Sequence, residues 1–144
     1  MYDLQELYDL FNEKELLKIL YNLYEAPMIL LYHIHETHKT ITIPLFDGYI
    51  NKIDWGDDNI NKELKHTYDA VKLYEIKIYG DCPTLDYMSN NTYDYLFQVI
   101  TYGSFQLKKI NFARNDKLIS IPPYFPKTIQ DVSDLFYCCF GLKY

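Results

Sequence analysis

The sequence predicts an α+β protein, and three patterns along its 144 residues indicate that class. Helical periodicity occupies residues 3–25, short strand-like runs separated by turn residues occupy the middle, and a phrase repeated at a 24-residue offset lies towards the C-terminus. These patterns divide the chain into four parts. They are a helical segment at 1–27, an antiparallel sheet at 28–80, an aromatic-rich connection at 81–106 and a repeat segment at 107–144.

Composition excludes several classes of protein. Hydrophobic residues at 49% and charged residues at 24% are typical of an ordinary globular chain. A net charge of −6 without any basic cluster argues against nucleic-acid or anionic-membrane binding. The longest apolar run, residues 28–32, is too short to span a bilayer, and no signal-peptide pattern is present, so a cytoplasmic location is expected. Three cysteines, two of them adjacent, predict reduced thiols.

An N-terminal amphipathic helix is predicted for residues 3–25. Apolar side chains recur there at the spacing of one helix face, beginning with Leu4, Leu7, Tyr8 and Phe11. Capping-box patterns start at Asp3 and at Asn12, so one helix with a break and two short helices both fit. Pro27 ends the pattern.

A small antiparallel sheet is predicted after the helix. Residues 28–35 favour strand, and clearer strands are predicted at 40–46, 49–55, 60–65 and 73–79. Turn residues such as Asp47-Gly48 and the run at 56–59 separate them, and such short connections join antiparallel neighbours. Apolar and charged residues alternate strictly over 74–78, which predicts one buried face and one solvated face.

The connection at 81–106 is rich in aromatic residues and contains no lysine or arginine. We expect an irregular segment with a short helix near residues 93–100. Five of its aromatic residues are candidates for binding a protein partner, because rigid amphipathic rings suit such contacts: Tyr87, Tyr93, Tyr95, Tyr102 and Phe105. The alternative is that these rings simply cover the sheet.

The repeat segment has the spacing of leucine-rich repeats. The phrase at Phe112, Asn115 and Leu118 recurs 24 residues later at Phe136, Cys139 and Leu142. In such repeats the apolar positions point into a stacked core, while the Asn or Cys lies inside the turn. A stable solenoid needs about three repeats, so we expect a short stub whose open end, residues 140–144, offers an edge for partner binding or self-association.

Two parts of the chain resemble known repeat families. The turn Trp55-Gly56-Asp57, the motif His66-Thr67-Tyr68 and the strand at 74–78 resemble the PKD-like β-sandwich repeat, and residues 129–142 resemble BspA-like leucine-rich repeats. Surface proteins of low-GC bacteria and proteins of large DNA viruses join these modules in this order. The resemblance implies a non-catalytic protein-protein interaction module that is the N-terminal part or a remnant of a longer repeat protein, located in the host cytoplasm if the chain is viral.

One histidine cluster supports an alternative function. His33, His35 and His38 lie within six residues, with Glu36 among them, and two histidines on one strand face can ligate a metal ion. The alternative is therefore a metal-binding protein or a metal-dependent enzyme. No recognised metal motif accompanies the cluster, so we expect no metal and no cofactor.

Other catalytic arrangements are weaker. Cys138 or Cys139 with His66 would supply a nucleophile and a base, but a cysteine at a repeat turn is expected to be buried and inert. The carboxylates of Asp54, Asp57 and Asp58 are expected to form a plain turn and not a cation site. The sequence therefore predicts that the protein is not an enzyme.

Overall fold

The computed structural model describes Gln5, residues 25–89 and residues 94–142. Its ten strands are β1 (Met28–Ile34), β2 (Lys39–Thr42), β3 (Leu45–Phe46), β4 (Tyr49–Asp54), β5 (Ile60–Asn61), β6 (Lys65–Tyr68), β7 (Lys72–Asp81), β8 (Thr84–Asp86), β9 (Leu96–Thr101) and β10 (Lys109–Asn111). One 3-10 helix, Tyr87–Ser89, follows β8. In this part of the chain no helix is long and apolar enough to cross a membrane.

The predicted α+β class is wrong. Strand accounts for 43% of the described residues and helix for 3%, with no helix of seven residues or more, so the described fold is nearly all β. The predicted amphipathic helix at 3–25 lies outside the described residues, apart from Gln5 and Glu25.

The largest sheet has five antiparallel strands in the order β5-β4-β7-β1-β9. β1 and β7 form its centre and pair from Met28 opposite Ile78 to Ile34 opposite Lys72. Burial alternates along both strands, as predicted for β7, because successive side chains point to opposite faces. The inner face therefore contributes half of each strand to the hydrophobic core.

The prediction of an irregular connection with a helix near residues 93–100 is wrong, because most of this segment forms β9. Its segment, Leu96–Thr101, pairs antiparallel with β1. Register shifts between Ile29 and Leu30 and between Leu31 and Tyr32 interrupt this ladder. The burial of β9 consequently does not alternate, so the period of two that identifies a strand is missing from its sequence.

Two predicted strands have different bounds in the structure. The run at 40–46 breaks at Pro44 into β2 and β3, which pair with different partners, because proline lacks the N–H that a ladder needs. The run at 60–65 shrinks to β5, while residues 65–68 form β6 and pair with β2 in a separate ribbon.

The motifs that resemble the PKD-like repeat converge on Trp55, which is fully buried. The His66 ring stacks on the indole with centroids 4.7 Å apart, and the Tyr68 hydroxyl donates to the Trp55 carbonyl oxygen at 2.7 Å. Gly56 adopts φ +81°, where a Cβ would meet the Glu75 carbonyl oxygen, so the turn requires glycine. Motif residues that are distant in sequence thus form one packed cluster.

Asp57 fixes the same turn. Its carboxylate accepts the Asn59 N–H at 3.2 Å and lies 2.7 Å from His66 Nε2. Burial alone raises the pKa of Asp57, but the hydrogen bonds from His66 and Asn59 outweigh it and hold the pKa below its ordinary value of 3.8.

A parallel stack forms the other half of the molecule. We define rung 1 as residues 83–89 and 94–101, rung 2 as residues 108–121 and rung 3 as residues 130–142. β8 and β10 pair in parallel, and Lys109 bridges in parallel to Asp131, so each rung lies beside the next. β3 pairs antiparallel with the opposite edge of β8, giving the sheet order β10-β8-β3.

The two phrases that are offset by 24 residues have the same backbone hydrogen bonds. In rung 2 the N–H groups of Asn115 and Leu118 donate to the carbonyls three residues earlier, and Cys139 and Leu142 repeat both hydrogen bonds in rung 3. The residues before the Asn and the Cys, Arg114 and Cys138, both have positive φ, at 69° and 60°. The two phrases therefore form the same turn.

A buried hydrogen bond joins the stack to the large sheet. The hydroxyls of Tyr32, on β1, and Tyr87, after β8, lie 2.6 Å apart, and both side chains are fully buried. Burial raises the pKa of both hydroxyls, so both stay protonated and one donates to the other.

Removing one hydroxyl of this pair is expected to cost more than removing both. Tyr87→Phe leaves the Tyr32 hydroxyl buried without a partner and should lower the free energy of unfolding by about 1–3 kcal/mol. Tyr32→Phe combined with Tyr87→Phe should cost less than Tyr87→Phe alone, because no buried hydroxyl is then left without a partner. Urea denaturation of the four proteins measures this, and additive effects would show that the hydroxyls do not interact.

Stability is expected to fall at acid pH through Asp57. Because its pKa is lower in the folded chain than in the unfolded chain, the ionised carboxylate stabilises the fold above the unfolded pKa, and this contribution disappears as the pH falls through the folded pKa. Urea titrations between about pH 5 and pH 2 should show a shallower fall for Asp57→Asn than for the unmodified chain. Asp58→Asn is the matched control, since it removes the exposed neighbouring carboxylate from a residue at φ 69°, which asparagine tolerates. Equal slopes for all three proteins would contradict the assignment.

Candidate functional site

Four of the five aromatic residues predicted as a contact surface belong to the core. Tyr87, Tyr95, Tyr102 and Phe105 are all buried, and Tyr93 lies outside the described residues. Tyr95 and Tyr102 flank β9, which forms from the supposed irregular connection and pairs with β1. The alternative interpretation of these residues, that their rings cover the sheet, fits the four rings that are buried.

The histidine trio does not assemble. His33 and His35 have ring centroids 6.0 Å apart, and the His35 ring stacks on Tyr95 at 4.5 Å. His38 instead pairs through Nδ1 with Asp69 Oδ1 at 3.0 Å. Among the described residues no group of three His, Cys, Asp or Glu side chains could hold a metal ion.

His33 and His35 do line an open groove of about 580 Å³ between the large sheet and the stack. Its other lining residues are Phe97, Asp116, Lys117, Ile119 and Gly141. Burial, followed by the neighbouring Asp116 carboxylate, raises the pKa of Asp94 beside this groove. The described residues that line the groove thus supply two imidazoles, one carboxyl group and one ammonium group.

The cysteines are packed as weak donors. Cys139 Sγ lies 3.0 Å from the Phe112 carbonyl oxygen, which also accepts from Asn115 Nδ2 at 2.8 Å. Burial raises the pKa of the Cys139 thiol, and it raises the pKa of Cys82 to about 11. His66 pairs with Asp57 and stacks on Trp55, whereas the Cys139 thiol contacts backbone carbonyl oxygens of Phe112 and Tyr137.

Three aromatic side chains of rung 3 are exposed. Phe140 is 82% exposed, Tyr137 58% and Phe136 37%. A groove of about 450 Å³ runs beside them and is lined in part by Tyr124, Phe125, Phe136 and Leu142. We call this set of six residues the end surface: Tyr124, Phe125, Phe136, Tyr137, Phe140 and Leu142.

The end surface is the outer side of a contact that is buried one rung earlier. The Phe112 ring is fully buried and stacks on Phe136 with centroids 6.5 Å apart and an angle of 8° between planes. Rung 3 approaches rung 2 so closely that a Cβ at Gly141 would lie 2.4 Å from the Asp116 carbonyl oxygen. Rung 3 therefore covers rung 2, while Phe140 and Tyr137 face solvent.

Part of the end surface coincides with the edge predicted from the sequence. The open end of the repeat was expected at residues 140–144, and Phe140 is exposed, although residues 143 and 144 lie outside the described residues. Tyr124 and Phe125 were missed. Their signal is the run Pro122-Pro123-Tyr124-Phe125-Pro126, where prolines restrict the backbone beside two large rings.

Comparison with protein-family models, with curated proteins and with solved structures finds no match for this chain. The PKD-like and BspA-like resemblances therefore stay predictions based on the motifs.

The buried Cys82 thiol and the half-buried Cys139 thiol are expected to react slowly. At pH 8, Cys82 and Cys139 should be alkylated by iodoacetamide more slowly in the folded chain than in the urea-unfolded chain, because burial disfavours their thiolates. Mass spectrometry of tryptic peptides measures each site. Faster labelling of Cys139 in the folded chain would identify an activated thiol and favour the thiol-enzyme interpretation.

Proposed function

We propose that this chain is a non-catalytic protein-binding module whose contact surface is the end surface. The observation that carries the proposal is the exposure of Phe136 at 37% and Tyr137 at 58%, in contrast to full burial of their counterparts Phe112 and Ala113 one rung earlier, together with Phe140, which is 82% exposed. Contiguous apolar surface of this kind is typical of interaction sites, and aromatic residues dominate the binding energy of such sites.

The lack of charged side chains at the centre of the end surface favours a partner with an apolar surface. Residues 135–142 contain no charged side chain, whereas Asp131 and Asp134 precede them. An uncharged aromatic centre beside charged residues resembles the core and rim of a protein interface. Burial of the centre would contribute about 25 cal/mol for each Å² of apolar area removed from water.

The sequence resemblances support the same function. The PKD-like and BspA-like families are non-catalytic, and the convergence of Trp55, His66 and Tyr68 fits the first resemblance while the matched turns of rungs 2 and 3 fit the second. On this proposal the chain is the N-terminal part or a remnant of a longer repeat protein. Its three cysteines are free, which supports a reducing compartment such as the cytoplasm, or the host cytoplasm for a viral chain.

The test compares baits that differ only in one exposed side chain. Tyr137→Ser and Phe140→Asp should each weaken binding of a captured protein by tenfold or more, since they remove the aromatic centre of the surface. Tyr49→Ser is the matched control, because Tyr49 on β4 is also 58% exposed but lies outside the end surface.

The measurement is affinity capture with the four baits, followed by calorimetry with each purified candidate partner. A partner that binds the unmodified chain and Tyr49→Ser but not the two end-surface variants supports the proposal. Partners that bind all four baits equally would place the contact elsewhere and contradict it.

A further inference from the structure

The large sheet has a second face, directed away from the core, which we call the outer face. Residues directly opposite one another on antiparallel strands share a face, so Ile29 lies beside Lys77 and Leu31 beside Glu75 on the outer face. Ile29 and Leu31 belong neither to the hydrophobic core nor to the partly buried residues packed against it, and both are half-buried. The outer face is therefore apolar on β1 and charged on the neighbouring β7.

The apolar part of the outer face continues from β1 through β9 into rung 2. The Phe97 ring meets the His33 ring edge-on with centroids 6.4 Å apart, and Phe97 and Ile119 both line the 580 Å³ groove. The N–H of Ile119 donates to the Phe97 carbonyl oxygen at 2.9 Å, so these two residues lie on neighbouring backbone segments. We call the set formed by Ile29, Leu31, Phe97 and Ile119 the outer stripe.

The sequences of β1 and β7 indicate that only part of the outer face is covered. Residues 28–32 of β1 are continuously apolar, which is typical of a strand that is buried on both faces. Residues 74–78 of β7 alternate between apolar and charged, which is typical of a strand with one solvated face. Since the two strands are neighbours in one sheet, a cover that lies over β1 and β9 and stops short of β7 accounts for both patterns.

The chain contains a segment with the chemistry and the width of such a cover. Of residues 3–24 the structure describes Gln5 alone, and its backbone is helical. A helix is about 10 Å across and strands lie about 4.8 Å apart, so one helix covers about two strands. Each half of the segment repeats apolar residues at helical spacing, namely Leu4, Leu7 and Phe11 in the first and Leu16, Leu20 and Leu23 in the second.

The point at which this segment joins the sheet is held in place. Asn51 Nδ2, on β4, donates to Glu25 Oε1, and the Ala26 carbonyl oxygen accepts from the Ser104 N–H at 3.0 Å and from the Ser104 hydroxyl at 3.2 Å. Ile29, the first residue of the outer stripe, is three positions after Ala26. The segment is therefore tethered beside the stripe, at an effective concentration of about millimolar that a separate partner has to exceed.

We propose that residues 3–24 form an amphipathic helical segment whose apolar side covers the outer stripe of the same chain. The partner of this surface is then intramolecular, and the outer stripe is closed to other proteins while the segment is in place. The outer stripe shares no residue with the end surface, so this inference is independent of the proposed function.

Hydroxyl-radical labelling of the 144-residue chain, read by mass spectrometry, tests the inference without any substitution. Leu31 and Leu73 are the same residue type on the same face, but Leu73 lies on β7, outside the proposed cover, and is 45% exposed. Leu31 should be labelled about fivefold more slowly than Leu73, because only the uncovered fraction of chains reacts.

A pair of variants assigns this protection to the segment. Leu20→Asp puts a carboxylate on the apolar side and should speed labelling of Leu31 and Phe97 about threefold or more, because a charge is costly to bury. Asn22→Asp is the matched control, since it adds the same charge outside the apolar repeat and should leave both rates unchanged. Fluorescence of the fully buried Trp55 establishes that the sheet is folded in each variant.

Three results would overturn the inference. Equal labelling of Leu31 and Leu73 in the unmodified chain shows that the stripe is uncovered, and this comparison holds even where Leu20→Asp unfolds the chain. Equal rates in folded Leu20→Asp and Asn22→Asp show that another element covers the stripe. Protection of Leu31 that grows when the chain is concentrated from about 1 to 100 µM identifies a second copy as the cover, because an intramolecular contact does not depend on concentration.

Discussion

The double pairing of β9 is the constraint on which the rest of the structure depends. On one side β9 pairs antiparallel with β1, the centre of the large sheet, and on the other side Gln98 bridges in parallel to Ser120 of rung 2. The N–H of Ile119 donates to the Phe97 carbonyl, and the N–H of Val99 donates to the Ser120 carbonyl. Backbone hydrogen bonding therefore continues from the sheet into the stack, and one hydrophobic core serves both. The position of rung 3, and so the direction in which its aromatic rings face, follows from this continuity.

Local chemistry made some features predictable. Gly56 and Asp57 specify their turn through a positive φ and a side-chain acceptor, and both act within a few residues. The 24-residue offset was visible because each stacked turn needs an apolar residue, a small or amide-bearing residue and a second apolar residue at fixed spacing. In both cases the sequence signal and the structural requirement share the same short range.

Features that depend on distant partners were not predictable in the same way. β9 has irregular burial because its ladder with β1 contains register shifts, so nothing within Leu96–Thr101 shows the period of a strand. Tyr95 and Tyr102 flank that strand, and their inward orientation follows from its pairing, which explains why a buried set of rings was taken for a binding surface. His38 was grouped with His33 and His35 by proximity in sequence, but its imidazole pairs with Asp69, 31 residues away.

The cap that β3 places on β8 gives the stack a polarity, and this polarity has an evolutionary consequence. Each rung contacts chiefly its neighbours, as in other quasi-one-dimensional folds, so duplication or deletion of a 24-residue unit after rung 2 changes the number of layers and leaves the large sheet and its Trp55 cluster untouched. The same event at the capped side would separate β3 from β8 and require a new closing strand. Descendants of this architecture are therefore expected to vary in length on one side only.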